Sequence, residues 1–205
     1  MADHLEIEQK FDVDAGFMLP DLSGVPGCDS VSPPVTHHLS ATYYDTEGNR
    51  LAASKITLRR RTGGTDEGWH LKLPSSLLPA GAQSRREIHA PLADGPEGQV
   101  PAQLADLVAE VTAGLPLAPI ASLMTERTVR NLLRGPADVL AEVADDQVTA
   151  RREGSPAEPL RWREVEVEVP EDAPPEVLAA AAELLLAAGA RPGSKGSKLA
   201  RVLDS

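Results

Sequence analysis

Apolar and polar residues alternate with a period of two along much of the chain, which is typical of strands with one face in a core. Breaks rich in Gly, Pro and Ser separate these segments. The pattern predicts eight strands, at residues 4–13, 36–45, 55–61, 68–73, 84–90, 120–133, 139–149 and 161–169. Strands at this regular spacing indicate a barrel or a sandwich.

Two segments have the spacing of helices instead. The first, residues 101–113, has a Pro near its start and is followed by Gly114. Its predicted apolar face consists of Leu104, Leu107, Val108 and Val111. The second helix is predicted at 174–188, and a helical turn at 47–53. We therefore expect a β-dominated α+β fold with helices packed outside, in one domain over residues 1–205.

The composition narrows the classes of partner. The net charge is −11, from 31 acidic and 20 basic residues, whereas a nucleic-acid-binding surface normally shows a basic excess. We see no secretory signal, and the apolar run at 177–190 is too short to span a bilayer, so we expect a cytoplasmic protein without a membrane partner. The lone Cys28 excludes an internal disulfide. The acidic exterior leaves monomer and homodimer open.

Acidic residues recur on single strand faces near both ends of the chain. Glu6 and Glu8 share a face with Lys10, and a second stripe consists of Glu164, Glu166 and Glu168. Neighbouring carboxylates repel one another unless a cation lies between them, and Mg²⁺ and Mn²⁺ prefer such oxygen ligands. Two acidic strands that converge across a barrel interior therefore indicate a metal site. On a third strand, Glu142 and Asp146 share a face and are candidates for the same set, whereas Asp145 points the other way.

Basic residues alternate in the strands between these two stripes. The residues that share faces are Arg59 with Arg61, His70 with Lys72, and Arg85 with Glu87, and Arg127 lies in a further strand. Surface ion pairs contribute little to stability, so structure alone gives weak reason for so many cations. If they face the inside of a barrel, they require an anionic partner. A polyphosphate fits, because guanidinium groups match phosphate oxygens and Lys adds a compact charge.

The order of these motifs resembles CYTH domains, the triphosphate tunnel metalloenzymes. The matching motifs are Glu6-x-Glu8-x-Lys10, Tyr43-Tyr44-Asp45-Thr46, Leu58-Arg59-Arg60-Arg61, the Lys72 strand, Arg85-x-Glu87, Glu164-x-Glu166-x-Glu168 and Ser197-Lys198-Leu199-Ala200-Arg201. The resemblance runs through nearly the whole chain. It implies a closed, eight-stranded antiparallel tunnel that binds a triphosphate and a divalent metal, Mg²⁺ or Mn²⁺.

The resemblance also implies roles for individual residues. The metal-side carboxylates are Glu6, Glu8, Asp146, Glu164, Glu166 and Glu168. The substrate-binding residues are Lys10, Arg59, Arg61, Lys72, Arg85, Glu87, Arg127 and Lys198. The catalytic set is Glu6, Glu8, Lys10 and Glu166. The pair Arg85-Arg86 permits a one-residue slip in the alignment, which would turn the other arginine inward. On spacing alone, Lys198 lies either at a barrel mouth or in a solvated tail.

We expect a metal-dependent hydrolase of inorganic tripolyphosphate or of an organic triphosphate. Two alternatives remain at this stage. A class IV-type adenylyl cyclase would hold ATP in the same tunnel, although no base-recognition pocket is identifiable. A non-catalytic polyphosphate-binding module would keep the basic rows without a working metal site.

Overall fold

The computed structural model describes residues 1–74, 76–77, 82–96, 98–193 and 196–205. Its strands are β1 (Ala2–Val13), β2 (Ser30–Val31), β3 (Val35–Asp45), β4 (Thr57–Thr62), β5 (Gly68–Lys72), β6 (Ser76–Leu77), β7 (Gln83–Ala90), β8 (Ala118–Arg134), β9 (Asp138–Arg152), β10 (Leu160–Val169) and β11 (Arg191–Pro192). The eight longer strands pair antiparallel in the order β1, β10, β9, β8, β3, β4, β5, β7. Pairing of β7 with β1 closes the sheet, which confirms the predicted eight-stranded barrel.

The helices are α1 (Arg50–Ala53), α2 (Ala102–Leu107), α3 (Ala109–Thr112), α4 (Pro175–Ala187) and α5 (Lys198–Leu203), with a 3-10 turn at Leu92–Asp94. The prediction of one continuous helix at 101–113 is wrong in one respect, because the helix is interrupted at Val108. That residue has φ −113° and ψ 8°, and its buried side chain packs in the core. Leu107, predicted on the apolar face, is 51% exposed. No helix in the described ranges is long and apolar enough to cross a membrane.

The outer faces of the strands are covered by the helices. Val177, Ala181 and Leu185 of α4 pack in one cluster with Phe11 and Val165. The outer side of β4 and β5 forms a second cluster with α1 and α2, around Trp69 and Leu104. Because apolar side chains are buried outside the sheet, the alternate residues on the inner faces are free to be charged.

Helix α5 fills one end of the barrel, a feature that the sequence did not reveal. The side chain of Ser197 caps the helix by accepting a hydrogen bond from the backbone N–H of Ala200 at 3.2 Å. Leu199 and Val202 pack against inward-facing apolar residues of β3, β8 and β9, namely Ala41, Tyr43, Ala121, Leu123, Val148 and Ala150. Of the two places considered for Lys198, the structure therefore supports the barrel and excludes the solvated tail.

Candidate functional site

The predicted site residues converge on the barrel interior. A cavity of about 700 Å³ is lined by Glu6, Glu8, Lys10, Arg59, Arg61, Lys72, Arg85, Glu87, Arg127, Glu166, Glu168 and Lys198. Asp146 and Glu164 are buried next to this lining, in contact with Lys198. The possible slip at Arg85-Arg86 does not occur, since Arg85 is buried and Arg86 pairs on the outside with Asp3.

One carboxylate cluster surrounds the ammonium group of Lys198. Oxygens of Asp146, Glu164 and Glu166 lie within 4.8 Å of one another, and all three residues are buried. Nζ of Lys198 lies 2.9 Å from Oδ2 of Asp146, 2.6 Å from Oε1 of Glu164 and 2.7 Å from Oε1 of Glu166. The first residue of α5 thus places a positive charge among three carboxylates.

Two further cations contact the same cluster. Lys10 pairs with Glu166 and lies 3.0 Å from Oε2 of Glu8. Arg127 donates to both oxygens of Asp146, at 2.8 and 2.7 Å, and to Oε2 of Glu166 at 2.6 Å. Burial opposes ionisation of Glu166, but Lys10, Lys198 and Arg127 outweigh it and hold its pKa well below the usual value. Three carboxylates and three cations therefore form one ion-pair network, which Lys10 extends to Glu8.

A second acidic group lies on the same side, nearer the open mouth. Nζ of Lys72 donates to the two oxygens of Glu6 at 2.5 and 2.6 Å. Oε1 of Glu8 is buried and has no hydrogen-bond partner in the described part of the chain. Glu168 lies directly opposite Glu8 on one side and Glu142 on the other. Burial and the charge of Glu6 raise the pKa of Glu168 to about 8. The six predicted metal-side carboxylates thus divide into two groups.

Three further arginines line the cavity away from the Asp146 cluster and have fewer counter-charges. On β4, the guanidinium of Arg59 contacts the hydroxyl of Tyr43 at 3.3 Å, and Arg61 pairs with Asp66. On β7, Arg85 lies across from Glu6 in the register with β1 and contacts the amide oxygen of Gln83 at 3.2 Å. Nε of Arg59 and Nε of Arg61 are buried without a partner among the described residues. Burial and repulsion from Arg59 and Arg127 lower the pKa of Arg61 to about 9. An anion in the cavity would relieve this repulsion and satisfy these donors.

Sequence reasoning missed several residues of the cavity wall. His70 was paired with Lys72 by alternation but was given no role, although its Nδ1 lies 2.7 Å from Oε1 of Glu87. Burial lowers the pKa of His70 to about 3. Tyr43 was also given no role, and Asp66 was not considered because it lies in a loop. His37 and His89, for which the sequence predicts no role, line the cavity as well. Alternation could have identified Tyr43 and His89, but no strand pattern identifies Asp66.

The donor set suits a hard divalent cation. Carboxylate oxygens cluster where β1, β9 and β10 line the cavity, and Oε1 of Glu8 is buried with no partner among the described residues. In the Asp146 cluster, the carboxylates already share the positive charge of Lys198. Carboxylates that could hold a divalent metal ion are therefore present on β1, β9 and β10.

Comparison with known proteins identifies the family of the chain. A family model described as the CYTH domain matches residues 4–203. Uncharacterized proteins from two strains of Mycobacterium tuberculosis, H37Rv and CDC 1551, are each 43% identical over 217 residues. The alignment covers 100% of this chain but 41% of each relative, so the chain spans less than half of their length.

Solved structures share the fold at low sequence identity. A Hippeastrum protein, described as an adenylyl cyclase candidate with dominant triphosphatase activity, has a TM-score of 0.59 and 19% identity, over 97% of this chain and 95% of that one. An adenylate cyclase candidate from Bacillus halodurans has a TM-score of 0.60 and 18% identity, over 98% of both chains. CYTH domains bind triphosphate substrates and depend on a metal ion. The chain belongs to the CYTH domain family.

Proposed function

We propose that this protein is a divalent-metal-dependent hydrolase of a triphosphate, inorganic or organic. The observation that carries the proposal is the joint presence in the tunnel of many cations and of carboxylates on three neighbouring strands. Seven Lys and Arg side chains are among the described lining of the cavity, and carboxylates cluster on β1, β9 and β10. Such an arrangement binds a compact polyanion and leaves oxygen ligands beside it for a metal.

The basic side would bind and orient the phosphate chain. Arg59 and Arg85 have donors directed at no carboxylate in the described contacts, so phosphate oxygens can accept from them without breaking an ion pair. Lys72 and Arg127 already bind carboxylates, and they would be shared between substrate and protein. These fixed cations neutralise charge on the phosphoryl group with little reorganisation.

The acidic side would hold the metal and the attacking water. Glu6, Glu8, Glu164 and Glu166 are the residues that would hold Mg²⁺ or Mn²⁺, with Asp146 and Glu168 beside them. The bound ion would supply Lewis-acid polarisation of the phosphate oxygens. Oε1 of Glu8 has no partner among the described residues, so it is available to accept a hydrogen bond from water and to direct a water lone pair toward phosphorus.

One of the comparisons supports hydrolysis over cyclisation. The CYTH family handles triphosphates, and the Hippeastrum protein of the same fold is described by a dominant triphosphatase activity. The described lining of this cavity has one aromatic ring other than histidine, that of Tyr43, and it packs toward α5 rather than at the mouth. A nucleobase stacking site, which a cyclase would use, is not evident in that lining.

The test is phosphate release from tripolyphosphate, ATP and thiamine triphosphate, with Mg²⁺, Mn²⁺ or a chelator. We expect metal-dependent release of orthophosphate from one or more of them, and the kcat/KM values would rank the substrates. Product analysis with ATP separates the alternatives, because a cyclase yields pyrophosphate and a cyclic nucleotide. Tight binding without any turnover would support a binding module and contradict the proposal.

A further inference from the structure

A carboxylate outside the predicted set lies at the outer end of the arginine row. Arg61 is buried, its guanidinium forms an ion pair with Asp66, and Nη2 lies 3.4 Å from the backbone oxygen of Asp66. Arg59 contacts Tyr43, which packs against α5 at the filled end. Arg61 is therefore the outer of the two arginines, and Asp66 neutralises its outward side.

The loop between β4 and β5 holds Asp66 in a defined place. Gly63 and Gly64 have φ near +80°, and a Cβ on Gly63 would collide with the carbonyl oxygen of His38, so this turn requires glycine. Nε2 of His70 lies 3.0 Å from the carbonyl oxygen of Asp66, and Nε2 of His89 lies 3.2 Å from that of Glu67. The loop backbone is thus anchored, although the Asp66 side chain is 60% exposed.

The mouth beyond Asp66 offers no further cation in the described lining of the cavity. The seven Lys and Arg residues of that lining all lie on the interior faces of strands or at the start of α5. The outer lining is apolar, histidine-bearing or acidic, and includes Val35, Val129, Val139, Pro170, His37 and Glu142. A polyanion that continued outward would leave the cations and approach carboxylates.

We propose that Asp66 is a specificity-determining residue, which sets the outer limit of the phosphate chain and favours triphosphates over longer polyphosphates. This inference rests on the proposed function. A fourth phosphoryl group would lie beside the Asp66 carboxylate without a cation of its own, and like charges at short range repel even where solvent screens part of the interaction. Selectivity would thus come from a repulsive element as well as from attraction within the tunnel.

The test compares Asp66→Asn with Glu67→Gln. The two changes remove the same charge from adjacent loop residues, and His89 contacts the backbone oxygen of Glu67, which Gln keeps. For each variant, kcat/KM is measured with Mg²⁺ for tripolyphosphate and tetrapolyphosphate, and Kd for both anions is measured by calorimetry in chelator. We expect the preference for tripolyphosphate to fall about tenfold in Asp66→Asn and to change less than twofold in Glu67→Gln. Asp66→Glu, which keeps the charge, should retain most of the wild-type preference.

An unchanged ratio in Asp66→Asn, or an equal change in Glu67→Gln, would overturn the role of Asp66. The Kd ratio decides this even if no substrate is turned over, so failure of the proposed hydrolase and failure of this inference are distinguishable. Absence of binding of either anion by the wild-type protein, with or without Mg²⁺, would contradict both.

Discussion

Among individual residues, Arg59 offers the cleanest test of phosphate binding. Lys72 donates to Glu6, so its removal would also disturb a carboxylate of the proposed metal site, whereas Arg59 donates to the Tyr43 hydroxyl. Hydrogen bonds to charged groups are worth about 1.5–3 kcal/mol. Arg59→Ala should therefore raise KM for tripolyphosphate about 10- to 100-fold with a smaller effect on kcat, measured by steady-state kinetics.

Arg60→Ala is the matched control for that measurement. Arg60 is the next residue of β4 and lies on its other face, so its loss should leave KM within about twofold. Equal effects of the two substitutions would contradict the assignment of Arg59 to the phosphate side.

The raised pKa of Glu168 predicts that the stability of the protein depends on pH in the absence of metal. Its native pKa is raised from 4.5 to about 8 by burial and by Glu6, so the native state keeps a proton that the unfolded chain releases. This contribution to stability is fully present below about pH 4.5 and is lost as pH rises to about 8. Glu168→Gln should therefore flatten the fall in the free energy of unfolding across this range, measured by urea denaturation in chelator.

The exposed Glu171 provides the comparison for Glu168. Glu171→Gln should leave the pH profile of stability close to that of the wild type. A profile for Glu168→Gln that parallels the wild type would show that Glu168 does not hold a proton in the native barrel.

At the level of elements, helix α5 supplies an internal cation to the Asp146 cluster. Lys198→Ala removes the ammonium group shared by three buried carboxylates, and breaking a buried ion pair typically costs about 3–5 kcal/mol. We expect a lower Tm in chelator and a larger rise in Tm on adding Mg²⁺ than in the wild type, because the ion would replace the lost charge. Differential scanning calorimetry measures both.

Arg201→Ala distinguishes a general destabilisation of α5 from loss of the Lys198 charge inside the cluster. Arg201 lies on the same helix, but it pairs with Asp12 and lies over the Trp162 ring rather than among the three carboxylates. It should lower Tm without increasing the response to Mg²⁺. The same Mg²⁺ response in both variants would contradict a role for Lys198 as an internal cation of the cluster.

Most strands were predictable because inward-facing and outward-facing residues alternate along them. Glu6, Glu8 and Lys10 alternate with residues that pack outside the sheet, so period two identifies both the strand and its inner face. Helix α5 was not predictable, because six residues give little periodicity and its burial depends on distant strands. The break at Val108 has a similar cause, since core packing overrides the helical pattern.

Contacts between residues distant in sequence also limited the prediction of the site. Alternation predicted which charged residues face inward, but it could not predict pairing across the barrel. The division of six carboxylates into two groups depends on Lys198 and on strand register, neither of which is encoded locally. Asp66 lies in a loop, and its contact with Arg61 follows from the glycine turn that precedes it.

For the whole molecule, the central claim is that a closed barrel brings a phosphate-binding side and a metal-binding side together for hydrolysis. The most direct measurement is orthophosphate release from tripolyphosphate by the wild type, Glu6→Ala and Asp3→Ala, with Mg²⁺ and with chelator. Asp3 lies on the same strand but pairs on the exterior with Arg86. We predict Mg²⁺-dependent release that Asp3→Ala retains and Glu6→Ala reduces by at least about 100-fold. Equal activity of the two variants, or release that persists in chelator, would contradict the account.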